Sequence, residues 1–280
     1  MTLHQALQQA KITLASVTDT PSLEAELLLA YTLNQSRDFL YAWPEQSLTA
    51  EQQSQYAHYV QRRCHREPIA YLTGCKEFWS LDLKVTRETL IPRPETEGLV
   101  AAVLELTSEL PPHAKVADLG TGSGAIALAL AHERPDWQIY ACDNNENTLC
   151  TAKHNAQRLG LNAIFFMQGE WCQALPCNDF DVIVSNPPYL AETEWEEYAH
   201  ELQFEPRAAL VSGRDGLQAI RDISVSTTHY LRPGGYLLLE HGFRQGPAVR
   251  DCLTMQGYKS IHSLRDLAGH ERITQGRLCR

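Results

Sequence analysis

The sequence predicts an α/β protein: a doubly wound, mostly parallel sheet, preceded by a small helical bundle and a short β-linker. Three observations support this. From Lys115 onward, apolar strand-like runs alternate with helical patterns, the signature of a parallel sheet with helices on both faces. A glycine-rich turn, Gly120 to Gly124, follows the first of these runs and opens a helix. Residues 1–76 show helical periodicity only.

Within residues 1–76, Leu3, Leu7 and Ala10 recur at helical spacing. Asp19-Thr20-Pro21 offers a cap and then a proline suited to a first helical turn, ahead of Leu23, Leu27, Leu28 and Tyr31. Glu51 to Arg66 is a polar amphipathic helix closed by Glu67-Pro68. Short helices with short links make a bundle. In residues 77–97, Leu81, Leu83 and Val85 alternate with polar residues as in a strand, so this segment reads as a β-hairpin linker. Ile91 to Glu97 is too proline-rich for a helix interior, and helix resumes over Leu99–Leu110.

Residues 98–280 form the third segment. Its predicted strands are Val116–Leu119, Gln138–Cys142, Ala163–Met167, Asp181–Ser185, Tyr236–Glu240, a run near 258–263 and a last one over 272–277. Helices are predicted over Gly124–Arg134, Glu146–Leu159, Gly216–Leu231 and Gly246–Gln256. In such sheets ligands bind beyond the carboxyl ends of the strands.

Composition narrows the function classes. The net charge is −10, from 24 Lys and Arg against 34 Asp and Glu, which disfavours a duplex gripped through many phosphates. No stable nucleic-acid partner is expected. The longest apolar stretches fall short of the ~20 residues of a membrane span. The N-terminus lacks a signal or transit pattern, so a cytoplasmic location is expected. The eight cysteines form no C-x-x-C pair and the eleven histidines show no H-x-x-x-H spacing, so no metal site is expected.

Asp118-Leu119-Gly120-Thr121-Gly122-Ser123-Gly124 joins strand to helix. Glycines permit a sharp turn and a close approach of ligand to backbone. With Ala125 in third place the spacing also satisfies the loose dinucleotide fingerprint. Asp118 shifts the balance, since a carboxylate there repels a pyrophosphate and suits the cationic α-amino group of S-adenosylmethionine. Asp143 ends the next strand and is placed for ribose hydroxyls, in either cofactor. Glu170 and Trp171 are placed to flank an adenine.

The second motif is Ser185-Asn186-Pro187-Pro188-Tyr189, after the apolar run 181–184. Two prolines hold the chain extended and stiff where a strand ends. An Asn side chain, the Pro187 carbonyl and the Tyr189 ring then suit a planar amide or amine that donates two hydrogen bonds. Methyl transfer from a sulfonium to such a nitrogen is an in-line displacement that needs no metal. Alignment of this kind supplies up to ~7–11 kcal/mol of a barrier.

Together these residues resemble the release-factor glutamine methyltransferase (PrmC/HemK) family. The resemblance rests on the glycine loop, Asn186 to Tyr189 and Pro92 to Glu97. It extends to Arg66–Gly74, Phe204–Leu210, Leu239–Gly242 and Asp266–Arg272. It implies a Rossmann-like, seven-stranded class I methyltransferase domain whose last strand is antiparallel, behind a helical domain that docks the protein substrate. It implies S-adenosylmethionine as donor and, as acceptor, N5 of the glutamine in the Gly-Gly-Gln motif of bacterial peptide-chain release factors 1 and 2. Carried over by position, Gly120 to Gly124, Asp143 and Trp171 contact the cofactor, Asn186 bridges cofactor and glutamine, and Asn186 to Tyr189 hold the glutamine amide. Glu170 stands where the family more often has Asp. The alternatives are a glutamine methyltransferase of ribosomal protein L3, a nucleic-acid N6-adenine methyltransferase and a non-catalytic release-factor-binding module.

Overall fold

The computed structural model describes residues 1–279. The chain divides into two compact units, Met1–Cys75 and Lys76–Arg280.

The first unit holds α1 (Leu3–Leu14), α2 (Pro21–Leu33), α3 (Arg37–Ala42), α4 (Ala50–Cys64) and α5 (Ile69–Thr73). Thr2 and Thr49 open α1 and α4 in reciprocal capping boxes with Gln5 and Gln52, which satisfies amide donors left free at a helix start. Pro21 occupies the first turn of α2, although Thr20 makes no side-chain cap bond. Leu3, Ala6, Ala10 and Leu14 bury one face of α1 in a core shared with Leu28, Leu29, Tyr56 and Val60. Arg63 of α4 grips Glu24 of α2 through two hydrogen bonds of 2.7 and 3.2 Å.

A hairpin of β1 (Cys75–Phe78) and β2 (Leu81–Lys84), all but its first residue in the second unit, follows. Trp79 and Ser80 at its turn both take positive φ, 54° and 58°, as a type I′ turn demands. Glu97 accepts the Trp79 amide at 2.8 Å and Glu133 accepts its indole N–H at 2.8 Å. These tethers hold a turn that lacks the usual glycine or asparagine. Glu97, one of the acidic residues of the proline-rich segment, is therefore a structural anchor. Phe78, Leu81 and Leu83 belong to the core of this unit.

Thereafter come α6 (Glu97–Glu105), β3 (Lys115–Leu119), α7 (Ala125–Glu133), β4 (Gln138–Asp143), α8 (Glu146–Leu159), β5 (Phe165–Gln168) and β6 (Phe180–Ser185). They are followed by α9 (Glu192–Leu202), α10 (Gln218–Ser226), β7 (Leu231–Glu240), α11 (Gly246–Met255), β8 (Tyr258–Arg265) and β9 (Glu271–Leu278). The sheet order is β5-β4-β3-β6-β7-β9-β8. All neighbours are parallel except β9, which is antiparallel to β7 and β8. This is the predicted seven-stranded class I methyltransferase fold. One core layer joins Leu99, Val103, Leu128, Ile139, Val182 and Leu238. The other joins Leu119, Phe180, Ile183, Ile220, Leu253 and Tyr258. Every residue of β6 is buried, as expected of a central parallel strand.

Some boundaries differ from the sequence expectation. The helix predicted over Gly216–Leu231 ends at Ser226, followed by a 3₁₀ turn at Thr227–His229. Thr227 and Thr228 hydroxyls return to the carbonyls of Ile223 and Val225 at 2.7 and 2.8 Å, a local competition that weakens a helix end. The strand predicted from Tyr236 starts at Leu231, with Pro233-Gly234-Gly235 absorbed in a register shift opposite Phe180 and Val182. Helix α9 was not singled out from sequence. The helix over Leu99–Leu110 turns 3₁₀ at Leu106.

Candidate active site

β3 pairs with β4 on one side and β6 on the other, so the order reverses at β3 and a crevice opens beyond its carboxyl end. Leu119 lies opposite both Cys142 and Ser185. The Ser185 hydroxyl donates to the Leu119 carbonyl at 2.6 Å. The next residues outward, Gly120 and Asn186, therefore stand side by side. Two motifs 66 positions apart, counted from Gly120 to Asn186, meet here.

The loop is folded back over β4. The amides of Gly120 and Thr121 both donate to the Cys142 carbonyl at 2.8 Å. Asp143 secures the other side: Oδ2 accepts the Gly122 amide at 3.1 Å and Oδ1 the Asn145 amide at 3.0 Å. Gly120 sits at φ +73° with the Trp171 ring 3.4 Å from where a Cβ would stand. Only glycine combines that backbone with that proximity. Asp118 is fully buried; its Oδ2 accepts the Thr121 hydroxyl at 2.6 Å and the Ala127 amide at 3.2 Å. Its Oδ1 has no partner, and burial pushes the carboxyl up to about 7. Asn155, fully buried on α8, donates to Ser123 O at 2.9 Å and pairs with both backbone groups of Lys84. It ties the glycine loop to the hairpin.

An open cleft lies beyond the carboxyl ends of these strands, where ligands bind in sheets of this kind. Gly120, Gly122, Asp143, Glu170, Trp171 and Asn186 line it. Glu88 adds a third carboxylate beside Asp143 and Glu170, and among the described residues no Lys, Arg or His lines the cleft. Trp171 holds φ +45°, an uncommon conformation for a bulky residue. Asp118, Thr121, Ser123 and Gly124 do not line the cleft; they shape the loop from beneath. A second, smaller cavity contains Arg93 and Tyr189 and shares Asn186-Pro187-Pro188 with the first. The two prolines thus form the wall between a large cleft and a small pocket.

Asn186 donates from Nδ2 to the Thr96 hydroxyl at 3.0 Å. Tyr189 is half-buried and its phenol is held well above its ordinary range by burial. The Tyr189 carbonyl accepts Gln245 Nε2 at 2.9 Å. Leu190 is latched to the next segment, its amide donating to Leu210 O at 2.8 Å and its carbonyl accepting Ser212 N at 2.9 Å. Buried Glu205 accepts the Ile91 amide at 3.2 Å and pairs with Arg93, which ties the proline-rich segment to the stretch that supplies Pro206, Ala208 and Ala209 to the cleft. Glu240, buried at the end of β7, has an unpartnered Oε2 and is pushed up to about 7 by burial. Sequence reasoning assigned no role to Thr96, Asn155, Glu205, Glu240 or Gln245. Thr96, Glu205 and Glu240 lay within segments that carried the family resemblance, which was the available signal. Among the described residues, no group of His, Cys, Asp or Glu is arranged to hold a metal, and no helix is long and apolar enough to cross a membrane.

Residues 5–74 match the PrmC N-terminal domain family and residues 99–216 the methyltransferase small domain family. The release factor glutamine methyltransferase of Coxiella burnetii is 47% identical over 279 residues, 99% of each chain. The chain belongs to the release factor glutamine methyltransferase family. The Escherichia coli enzyme of that name is 43% identical, across 98% of this chain and 97% of its own. Among solved structures, a Thermus thermophilus 16S rRNA methyltransferase in complex with AdoMet and guanosine superposes with a TM-score of 0.51. Its identity is 18%, covering 73% of this chain and 49% of that one, and it bears on the fold alone. Membership makes this chain an enzyme rather than a non-catalytic binding module.

Proposed function

We propose that this enzyme methylates N5 of the glutamine in the Gly-Gly-Gln motif of bacterial release factors 1 and 2, with S-adenosylmethionine as donor. The observation that carries this reading is the fixed Asn186. Its Nδ2 is committed to Thr96, so its Oδ1 is free to accept, at the wall shared by cleft and pocket.

The cleft fits the donor. Three lining carboxylates, with no basic side chain among the described residues, repel a pyrophosphate and favour a cation. The unpartnered Oδ1 of Asp118 at the base of the loop adds to that field. Asp143 carries lone pairs beyond those used by the Gly122 and Asn145 amides, suited to ribose hydroxyls. Trp171 offers a face and Glu170 a carboxylate to an adenine. When bound, S-adenosylmethionine supplies an electrophilic methyl group on a sulfonium.

The residues of the chain then have defined work. Asn186 Oδ1 and the Pro187 carbonyl each accept one N–H of the glutamine amide. They hold a weakly nucleophilic nitrogen with its lone pair toward the methyl group. Tyr189 packs on the planar amide and excludes water. As the N–C bond forms, the S–C bond breaks, and the nitrogen releases one proton to water. Pro187 and Pro188 keep the geometry fixed, which is where alignment lowers the barrier. The unit Met1–Cys75 docks the body of the release factor, a reading supported by the match of residues 5–74 to the PrmC N-terminal domain family.

Incubation with methyl-labelled S-adenosylmethionine and purified release factors, ribosomal protein L3 or DNA tests the assignment. Label is expected on the release factors. Label on L3 or DNA with none on a release factor overturns it.

A further inference from the structure

The prolines of the acceptor motif fix φ only at Pro187 and Pro188. Tyr189, whose ring packs on the acceptor amide, keeps ordinary backbone freedom, so its direction must be set from elsewhere. The peptide that follows it is held on both sides. Its carbonyl, that of Tyr189, accepts Gln245 Nε2 at 2.9 Å, and its N–H, that of Leu190, donates to the Leu210 carbonyl at 2.8 Å. In a trans peptide these two groups point to opposite sides, so together they stop the peptide plane from rotating. With the prolines stiff before it and this peptide fixed after it, Tyr189 Cα cannot swivel. Gln245 supplies the side-chain half of that clamp.

We infer that Gln245 is a positioning residue for methyl transfer, whose side-chain amide aims the Tyr189 ring at the acceptor by clamping the Tyr189–Leu190 peptide. The Gln245 amide can sit only one way round. Its Oε1 accepts the Gly242 amide at 2.8 Å, and its Nε2 faces the carbonyls of Tyr189 and Gly216 at 2.9 and 3.5 Å. A backbone N–H only donates and a carbonyl only accepts, so turning the amide over would break each of these bonds. The main chain of Gln245 is held as well, its N–H donating to Gly242 O at 2.8 Å and its carbonyl accepting the Val249 amide at 3.0 Å at the start of α11. Two glycines leave the space the side chain occupies. A Cβ on Gly242 would stand 3.0 Å from Gln245 Oε1, and one on Gly216 would stand 2.8 Å from Nε2 and 2.2 Å from Tyr189 O. Three segments, after β6, before α10 and after β7, therefore converge on one side chain. Gln245 lines neither the cleft nor the smaller pocket, so it acts through Tyr189. The clamp rests on the reading that Asn186 to Tyr189 hold the glutamine amide.

The test uses the full chain with a release factor as substrate and compares Gln245→Glu, Gln245→Met and Asn186→Ala for kcat and for S-adenosylmethionine Kd. Gln245→Glu is nearly isosteric. Ionised, the introduced carboxylate still accepts the Gly242 amide but sets an oxygen against two carbonyls; protonated, it donates to Tyr189 O as the glutamine does. The charged and titratable groups around this position are Arg250 of α11 and Glu271 of β9, paired at 2.8 Å beside Gly246, exposed Arg244, buried His241 at the Gly242 carbonyl, and Asp215 before Gly216, paired with Arg221. At about pH 8 kcat should fall roughly ten- to a hundredfold, the scale of a ~1 Å misplacement near a reacting centre, with the S-adenosylmethionine Kd unchanged. The ratio of variant to wild-type kcat should recover toward one as the pH falls to about 5.5, because the facing carbonyls hold the introduced carboxyl above the ~4.3 of a free glutamate. Gln245→Met cannot ionise and should show the same loss at every pH. A ratio near one at about pH 8 in Gln245→Glu, or a loss that acidification does not reverse, beside a crippled Asn186→Ala, overturns the clamp alone. Normal kcat in Asn186→Ala overturns the underlying reading. If Gln245→Glu fails to fold, Gln245→Met decides: lower kcat at unchanged Kd supports the clamp and normal kcat refutes it. Failure of both variants to fold makes Gln245 a residue of the fold alone and refutes the clamp too.

Discussion

Replacing Asp118 by Asn should separate stability from cofactor binding. Asp118 is fully buried, and its carboxyl is raised from 3.8 to about 7, chiefly by burial. A carboxyl with a raised folded pKa favours the fold below its unfolded value, and that contribution is lost as pH rises through the folded value. Between those limits the folded state holds one proton more than the unfolded state, so stability falls by ~1.4 kcal/mol per pH unit. From pH 5 to pH 8 the loss amounts to roughly 2–3 kcal/mol, levelling off above about 7. Asn cannot ionise, yet it keeps an oxygen for the Thr121 hydroxyl and Ala127 amide. Between pH 5 and pH 8 the wild type should therefore lose roughly 5–10 °C of melting temperature relative to the variant, at ~2–4 °C per kcal/mol for a unit of this size. Saturating S-adenosylmethionine should raise the melting point of the wild type more than that of the variant, since only the carboxylate attracts its cation. Melting curves at half-unit pH steps, with and without cofactor, read both effects. Parallel pH dependences for the two proteins would refute the burial argument.

Three further substitutions probe the walls of the site. Gly216→Ala would place a Cβ 2.2 Å from the Tyr189 carbonyl oxygen at φ +72°, so it should displace the Asn186–Tyr189 segment; turnover is expected to fall well before cofactor affinity does, and unchanged kcat would count against that contact. Glu205→Ala removes the partner of the Ile91 amide and of Arg93. Denaturant titration should show a loss of ~1–3 kcal/mol, and no loss would mean the proline-rich segment is held otherwise. Trp171→Ala should weaken S-adenosylmethionine binding by ~3–10-fold, the worth of one aromatic stacking contact; calorimetry showing equal affinity would remove Trp171 from the adenine site.

What could be read in the sequence was local. Gly120 to Gly124 and Asn186 to Tyr189 are short motifs whose backbone restrictions are intrinsic to glycine and proline, so their shape needs no tertiary context. The strand–helix alternation gave the sheet because hydrophobic period reports burial directly. The residues that hold those motifs were not legible as such. Thr96, 90 positions before Asn186, reaches it by a single hydrogen bond. Asn155 is one polar residue among several on α8 and differs only in pointing inward at the Ser123 and Lys84 carbonyls. Glu205 meets Ile91 across 114 positions. Pairings of this range depend on the sheet order, which no window of sequence contains. Asp118 was read as a cofactor ligand, whereas its hydrogen bonds show it also organising the loop. The hairpin turn at Trp79-Ser80 carries no Asn-Gly signal because Glu97 and Glu133 hold it from outside.

The claim that Asn186 positions and polarises a glutamine amide is tested most directly by Asn186→Ala, assayed for kcat on a release factor and for S-adenosylmethionine Kd. Loss of the aligned acceptor should lower turnover ~10²–10³-fold while cofactor affinity stays near that of the wild type. Near-normal turnover in that variant would contradict the account.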